Sequence, residues 1–370
     1  MNKRILILVN HEIVVYNFRK ELVIELLSQG YEVYISSPPG KKIDLLVDMG
    51  AKHIDTQINR HGIGVLEDYR LMRFYSRMMR DIKPMVVLTY TIKPNIYGGF
   101  AAKKNKIPYV ANITGLGSAV EKPGILQFIT ISLYKRAFSK IKTVYLQNEE
   151  NMKFFINHNI SIDKLKLLPG SGVNLDEFQL IEYPKEDTIR FAFISRVMKS
   201  KGIDLYLESA KKIKLNHPNT EFHVCGFCEE DYITVLEEYQ EQGIVIYHGM
   251  VDDISAFLSS IHCLIHPSSY PEGMSNVLLE AAASGRPVIT TDRSGCKEVV
   301  DENFNGFVIA HPYDTTKLFN VTTSFLQLSH DEKRKMGLNG RNKMIKQFDR
   351  KIVLDSYLKE IEELQNELTE

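Results

Sequence analysis

The residues best suited to chemistry are two glutamates and two basic side chains in the C-terminal half. Glu272 and Glu280 stand with seven residues between them in His266-Pro-Ser-Ser-Tyr-Pro-Glu272-Gly273-Met274-Ser275-Asn276-Val277-Leu-Leu-Glu280. This run reads as a strand ending at His266, a turn-rich loop, and a helix that starts near Ser275 and closes by Gly285 and Pro287. Glu272 then lies in the loop and Glu280 about a turn and a half inside the helix. The amides from Gly273 to Val277 form a helix N-terminus, whose N–H groups lack intrahelical partners and suit phosphate or hydroxyl oxygens. Carboxylates accept hydrogen bonds from vicinal diols, so the whole fits a ligand with several hydroxyls and a phosphate, as in a nucleotide sugar. Taken alone, the glutamates also read as solvated charges and Ser275 as a plain helix cap.

Two further segments add to this chemistry. Ile194-Ser195-Arg196-Val-Met-Lys199-Ser-Lys201-Gly202 places Arg196 at the end of a strand and Lys201 just before a helix. A guanidinium fork and an ammonium in one loop can neutralise a diphosphate, and Gly202 permits close approach. The strand-end turns Cys225-Gly226-Phe227-Cys228 and His248-Gly249-Met250-Val251 are expected beside one another, where backbone groups could frame a flat base.

The elements that must position these groups alternate. Short apolar β-rich runs at 4–9, 31–36, 85–89, 109–113 and 143–146 are separated by helical patterns such as 17–28, 67–81 and 125–141. This is the rhythm of βαβ units in covered parallel sheets. The pattern breaks around Leu168-Pro-Gly-Ser-Gly172 and resumes at Ile189, with later strands at 221–225, 244–247, 263–266 and 287–290. The expectation is an α/β protein of two doubly wound, Rossmann-like domains facing a central cleft: 1–168, a linker over 169–188, 189–349, and a terminal helix over 350–370. In such sheets ligands bind outside the carboxyl ends of the strands.

Composition narrows the partners. The 46 basic and 46 acidic residues cancel, but residues 1–180 carry 25 basic against 16 acidic and the remainder 21 against 30. The first half is therefore cationic and the second anionic. Zero net charge and the lack of a basic-aromatic module disfavour nucleic acid. Four cysteines in 370 residues cannot build a disulfide scaffold and fit a reducing compartment. The apolar run at 5–9 is too short for a signal peptide and no run reaches the 18 or so residues that span a bilayer, so a cytoplasmic protein is expected. Arg70, Arg73, Arg77 and Arg80 recur at helical spacing between apolar residues. The stretch from Pro123 to Lys142 carries Ile125, Leu126, Phe128, Ile129, Leu133 and Phe138 with four basic residues at its end. Both helices suit an anionic membrane surface, and both also read as ordinary core-facing helices.

In order, Ser195-Arg-Val-Met-Lys-Ser-Lys201-Gly, His248-Gly-Met-Val251, the Glu272/Glu280 pair and Asn305-Gly-Phe307 resemble the donor domain of the retaining GT-B-fold glycosyltransferases of family four. Tyr16-Asn17-Phe-Arg19, Thr91-Ile-Lys93-Pro-Asn95, Asn112-Ile-Thr-Gly-Leu-Gly-Ser118 and Gly170-Ser-Gly-Val-Asn174 are similar to its branch for capsule, O-antigen and lipid-linked glycans. The resemblance spans essentially the whole chain. It implies transfer of a hexose or N-acetylhexosamine from a nucleotide diphosphate, UDP rather than GDP, to a lipid-diphosphate-linked glycan with retention, by a peripheral enzyme on the inner face of the cell membrane.

It implies roles as well. Arg196 and Lys201 clamp the diphosphate, and Glu272 touches the transferred sugar. Gly249, Met250, Val251, Gly273, Met274, Ser275, Asn276 and Val277 surround the donor, whose ribose Glu280 holds. The final helix returns to the first domain, which takes the acceptor through Asn17, Arg19, Lys93, Asn95, Thr114, Gly115 and Gly117, with Arg19 and Lys93 on its phosphates. Many relatives carry a His after the strand ending near Ile113, where this chain has Thr114-Gly115-Leu116-Gly117. No Asp-x-Asp or zinc-type spacing occurs, so no metal or other cofactor is expected. The competing readings are a nucleotide-sugar epimerase of the same fold, a non-catalytic sugar-binding protein, and a dithiol redox enzyme built on Cys225 and Cys228.

Overall fold

The computed structural model describes residues 2–58, 64–117, 120, 123–185 and 187–367. Ser118, Glu186 and the last three residues of the expected terminal helix lie outside the described residues. The chain divides into two compact units, Met1–Ser171 with Lys351–Glu370, and Gly172–Arg350.

The first unit holds β1 (Arg4–Leu8), β2 (Glu32–Ser37), β3 (Lys52–Asp55), β4 (Val86–Tyr90), β5 (Tyr109–Ile113), β6 (Thr143–Leu146) and β7 (Leu165–Leu167), in the order β3-β2-β1-β4-β5-β6-β7. Every pairing is parallel. Strands covered on both faces need continuous apolar runs, and the buried Ile5-Leu-Ile-Leu8 of β1 is one. Polar β3 (Lys-His-Ile-Asp) and three-residue β7 escape the sequence reading because they are edges, where one side of the strand is left unpaired. The two faces carry separate apolar layers, one centred on Val15, Leu22, Leu26 and Ile35, the other on Tyr75, Met79, Tyr134 and Phe155.

The second unit repeats the plan with β8 (Ile189–Ile194), β9 (Thr220–Cys225), β10 (Ile246–Tyr247), β11 (Cys263–His266), β12 (Val288–Thr291) and β13 (Gly306–Ile309), ordered β10-β9-β8-β11-β12-β13. All of these pair in parallel. In both sheets the strand order reverses beside the first strand, between β1 and β4 and between β8 and β11. That reversal opens a crevice at the carboxyl edge. The loops after β8 and β11 carry Arg196, Lys201 and Glu272.

Residues 172–185 pack with the second unit instead of standing apart. The buried guanidinium of Arg286 donates to the carbonyls of Ile181 (3.2 Å), Glu182 (2.9 Å) and Leu258 (2.8 Å), which turns a polar stretch into fixed structure. Where the chain leaves that unit, Val173 N donates to Phe348 O at 2.8 Å and Arg350 N to Val173 O at 3.0 Å. The helix Arg350–Glu367 then lies on the first unit. Asn112 Nδ2 donates to Tyr357 Oη at 2.9 Å, and Thr143 Oγ1 and Lys166 Nζ both reach Glu360 at 2.7 Å.

Candidate functional site

The loop after β8 runs through a short turn at Lys199–Lys201 into the helix Ile203–Asn216. Gly202 makes the turn at φ +83°, and a Cβ there would stand 2.1 Å from Pro267 O. Only glycine lets this loop lie directly on the loop after β11. The contact is sealed by Ser269 N donating to Ser200 O at 2.9 Å.

It delivers Lys201 Nζ to within 2.5 Å of Glu272 Oε1, both side chains being nearly buried at 8% and 14% exposure. His266 Nε2 (3.3 Å) and Ser268 Oγ (3.4 Å) approach the same oxygen. Burial alone would raise the carboxyl of Glu272, but the Lys201 ammonium and His266 beside it hold it at about 2. Burial lowers His266 despite Glu272, so the ring is neutral at pH 7 and Nε2 carries the donated proton. His266, Glu272 and Cys296 present donor atoms within 4.8 Å of one another. Burial keeps the Cys296 thiol far above its usual range, and Lys201 already places a cation on Glu272.

Arg196 is half-buried and ion-paired through Nη1 with Glu229. Burial works against its charge, and Glu229 and Tyr270 more than restore it. The Tyr270 ring centroid lies 5.3 Å from the Arg196 guanidinium and 4.8 Å from Lys201 Nζ, so one aromatic ring contacts both cations.

The helix Asn276–Ala283 begins without a side-chain cap, since Ser275 makes none and its N–H goes to Gly295 O at 2.7 Å. Asn276 Oδ1 is buried without a partner. The Glu280 side chain, four residues on, has no hydrogen bond or ion pair among the described residues, and burial pushes its carboxyl up to about 7 against the opposing pull of Arg350. An unengaged amide oxygen and an unengaged carboxylate one turn apart on one helix face are acceptors matched to neighbouring hydroxyls. Met274 is buried and Val277 half-buried beside them, and Gly273 is buried in the preceding loop.

The turns after β9 and β10 touch through Gly226 N donating to Gly249 O at 2.7 Å. Met250 and half-buried Val251 follow, Met250 being exposed. His248 Nε2 meets His223 Nδ1 at 2.9 Å behind them. Burial lifts the Cys225 thiol to about 12, so Cys225 lacks the activated thiolate a dithiol enzyme needs, and Cys228 Sγ lies 3.7 Å from Tyr247 Oη.

In the first unit, Asn17 is exposed on the helix Glu12–Ser28, and Thr114, Gly115 (φ +146°) and Gly117 (φ +70°) follow β5 at the carboxyl edge. One expected phosphate contact is corrected, and a second is found ion-paired. Arg19 is 3% exposed, with its guanidinium 5.2 Å from the Tyr90 ring and 5.4 Å from Tyr357, inside the unit and away from its surface. Lys93 is held by Asp68 at 2.8 Å. Asn95 is buried too, accepting from Thr89 Oγ1 (2.7 Å) and donating to Asn112 O (2.9 Å), which fixes the turn after β4.

On the helix Val65–Ile82 the four arginines are exposed opposite Leu71, Tyr75 and Met79. The helix Ile125–Ala137 exposes Ile125 (81%) and Phe128 (73%), with Leu126 and Ile129 also outside. No described helix is long and apolar enough to cross a membrane.

Sequence reasoning passed over Glu229, Tyr270, Ser268 and the role of His266. Three of these lie within six residues of Glu272, so proximity to that loop was the available signal. Glu229 had none, because its approach to Arg196 is a product of strand order.

The chain matches two family models, one for glycosyl transferases group 1 over residues 176–343 and one described as glycosyl transferase 4-like over 4–148. It is 26% identical over 364 residues to N,N'-diacetylbacillosaminyl-diphospho-undecaprenol alpha-1,3-N-acetylgalactosaminyltransferase of Campylobacter jejuni, covering 93% of this chain and 94% of that one. Among solved structures it is similar to a glycosyltransferase from Rickettsia africae (TM-score 0.81, 18% identity, 98% of this chain and 99% of that one). It is also similar to Anabaena HepE in complex with UDP and glucose (TM-score 0.79, 17% identity, 97% and 98%).

Proposed function

Because the chain belongs to the group 1 glycosyltransferases of the GT-B fold, we propose that it moves a hexose or N-acetylhexosamine from a UDP-sugar to a lipid-diphosphate-linked glycan with retention, in surface polysaccharide assembly. The observation that carries the donor side is the pairing, at one strand-order reversal, of clustered cations with unengaged acceptors. Arg196 and Lys201 both lie against the Tyr270 ring, while Asn276 Oδ1, buried without a partner, and the Glu280 carboxyl stand one turn apart on the following helix. The first set answers a diphosphate and the second a ribose diol. UDP is the nucleotide bound by HepE.

In this reading the leaving diphosphate displaces Glu229 from Arg196, and charge developing on it falls on Arg196, Lys201 and the amides at the start of the helix Asn276–Ala283. Glu272, pinned through Oε1, presents a fixed carboxylate to the transferred sugar. With two cations and a helix N-terminus on the diphosphate, transfer proceeds without a metal. The acceptor class follows the Campylobacter relative, whose name specifies a diphospho-undecaprenol substrate. Exposed Ile125, Leu126, Phe128 and Ile129, together with the arginine row of residues 70–80, support peripheral binding to the anionic inner leaflet where such lipids reside.

The test is a thermal-shift series with UDP, GDP and their sugars on wild type and Arg196→Ala. Ligands of the native state raise the transition by mass action. UDP compounds should stabilise wild type and lose most of that effect in the variant. An equal response to GDP compounds, or none to either, refutes the donor assignment.

A further inference from the structure

Arg196 is paired with Glu229, and backbone contacts hold that carboxylate in place. The loops after β8 and β9 run on side by side past the sheet edge, with Val197 N donating to Phe227 O at 2.8 Å and Glu229 N to Val197 O at 3.1 Å. Gly226 (φ +138°) makes this approach possible, since a Cβ there would stand 1.8 Å from Ser195 O. Glu230 is committed as well, its Oε2 accepting from Lys199 N at 2.8 Å. The backbone under Glu229 is therefore pinned, and only its side chain can turn aside when an anion takes Arg196. The Arg196 and Glu229 side chains are 35% and 33% exposed, so water screens their charges only in part.

We propose that Glu229 selects the nucleotide-sugar donor over the spent nucleoside diphosphate, by repelling the extra charge of the terminal phosphate that transfer leaves behind. The proposal rests on the donor reading of this site for the identity of its ligand. In the donor the sugar esterifies the outer phosphate, which then carries a single charge. After transfer that phosphate is terminal and carries about 1.5 to 2 charges near neutral pH. A phosphate oxygen that takes Arg196 evicts the Glu229 carboxylate, and the pinned backbone keeps the evicted group close to its replacement. Both ligands meet this repulsion, and it is larger for the one with more charge. A fixed like charge that weighs unequally on two ligands is a source of specificity. It also limits product inhibition, because Glu229 pairs again with Arg196 as the diphosphate leaves. A supporting ion pair predicts the opposite: a carboxylate that merely aims the guanidinium helps every phosphate ligand, and its loss weakens them all.

The experiment is titration calorimetry on the full chain with UDP, UDP-glucose, UDP-N-acetylglucosamine and inorganic pyrophosphate. Wild type is compared with Glu229→Gln and Glu229→Ala, thermal melts establishing that each variant folds; either variant decides the matter. The expected result is UDP binding about five- to tenfold tighter than in wild type, pyrophosphate following it, and UDP-sugar binding tighter by no more than about twofold. Unchanged or weaker UDP binding overturns the proposal, since Glu229 would then be a support for Arg196. An equal gain for UDP and the UDP-sugars overturns it too, because the carboxylate would repel without selecting. If no UDP compound binds wild type, the donor reading fails, and charge selection by Glu229 stands only if pyrophosphate still binds more tightly to the variants.

Discussion

Replacing Lys201 by methionine removes its ammonium from Glu272 while keeping most of the side chain's volume. The Glu272 carboxyl titrates at about 2 in the folded chain against 4.5 when free. At 1.36 kcal/mol per pH unit, that shift, owed to Lys201 and His266 together, is worth about 3 kcal/mol at neutral pH. Because the folded value is depressed, that stability is present above pH 4.5 and lost as pH falls toward 2. Removing one partner of a buried pair costs about 3–5 kcal/mol, whereas removing both is far cheaper, since no uncompensated charge stays behind. Lys201→Met should therefore lower the urea midpoint at pH 7, and Lys201→Met/Glu272→Gln should recover most of the loss. Turnover should fall about 10²- to 10³-fold in the single variant, the size of effect seen when one preorganised donor to a developing charge is lost, and should not return in the double variant. Additive stability losses, or turnover within tenfold of wild type, would refute the arrangement drawn here.

Glu280 works in the opposite sense. Burial raises its carboxyl to about 7, so ionising it costs the fold stability that grows as pH climbs from 4.5 to 7. Glu280→Gln should be more stable than wild type by about 1–3 kcal/mol at pH 8 and equal to it near pH 4, while its KM for the donor rises; equal melting curves at pH 8 would contradict this. Gly202→Ala places a methyl against Pro267 O and should cost both stability and activity, as circular dichroism melts and turnover will show. Tyr357→Phe leaves Asn112 Nδ2 without its acceptor and should cost about 1–3 kcal/mol by urea unfolding. Phe128→Glu should weaken flotation with anionic liposomes without altering UDP stabilisation.

Which parts of this molecule were legible in its sequence follows from how far each interaction reaches along the chain. Central strands such as β1, β5 and β8 must be apolar on both faces, so composition alone located them within a residue or two. The edges β3 and β7 carry no such obligation and passed for loop. The same division runs through the site. Glu272 and Glu280 share one loop and helix, so their joint approach to a ligand could be inferred from spacing. The partner of Arg196 could not, because Glu229 arrives from the next strand's loop, thirty-three residues on. Arg19 shows the converse: a basic residue beside Tyr16-Asn17 looked like a surface cation, yet Tyr90 and Tyr357, 71 and 338 positions away, enclose it. A charge can be buried only when distant residues supply the faces that stabilise it, so buried cations are where local reading fails first. Lys93 follows the same rule, since Asp68, twenty-five residues earlier, decides whether its charge is available. Under the proposed transferase reading, the donor side is thus legible from short-range sequence, whereas whatever selects the acceptor lies in contacts that only the folded sheet assembles.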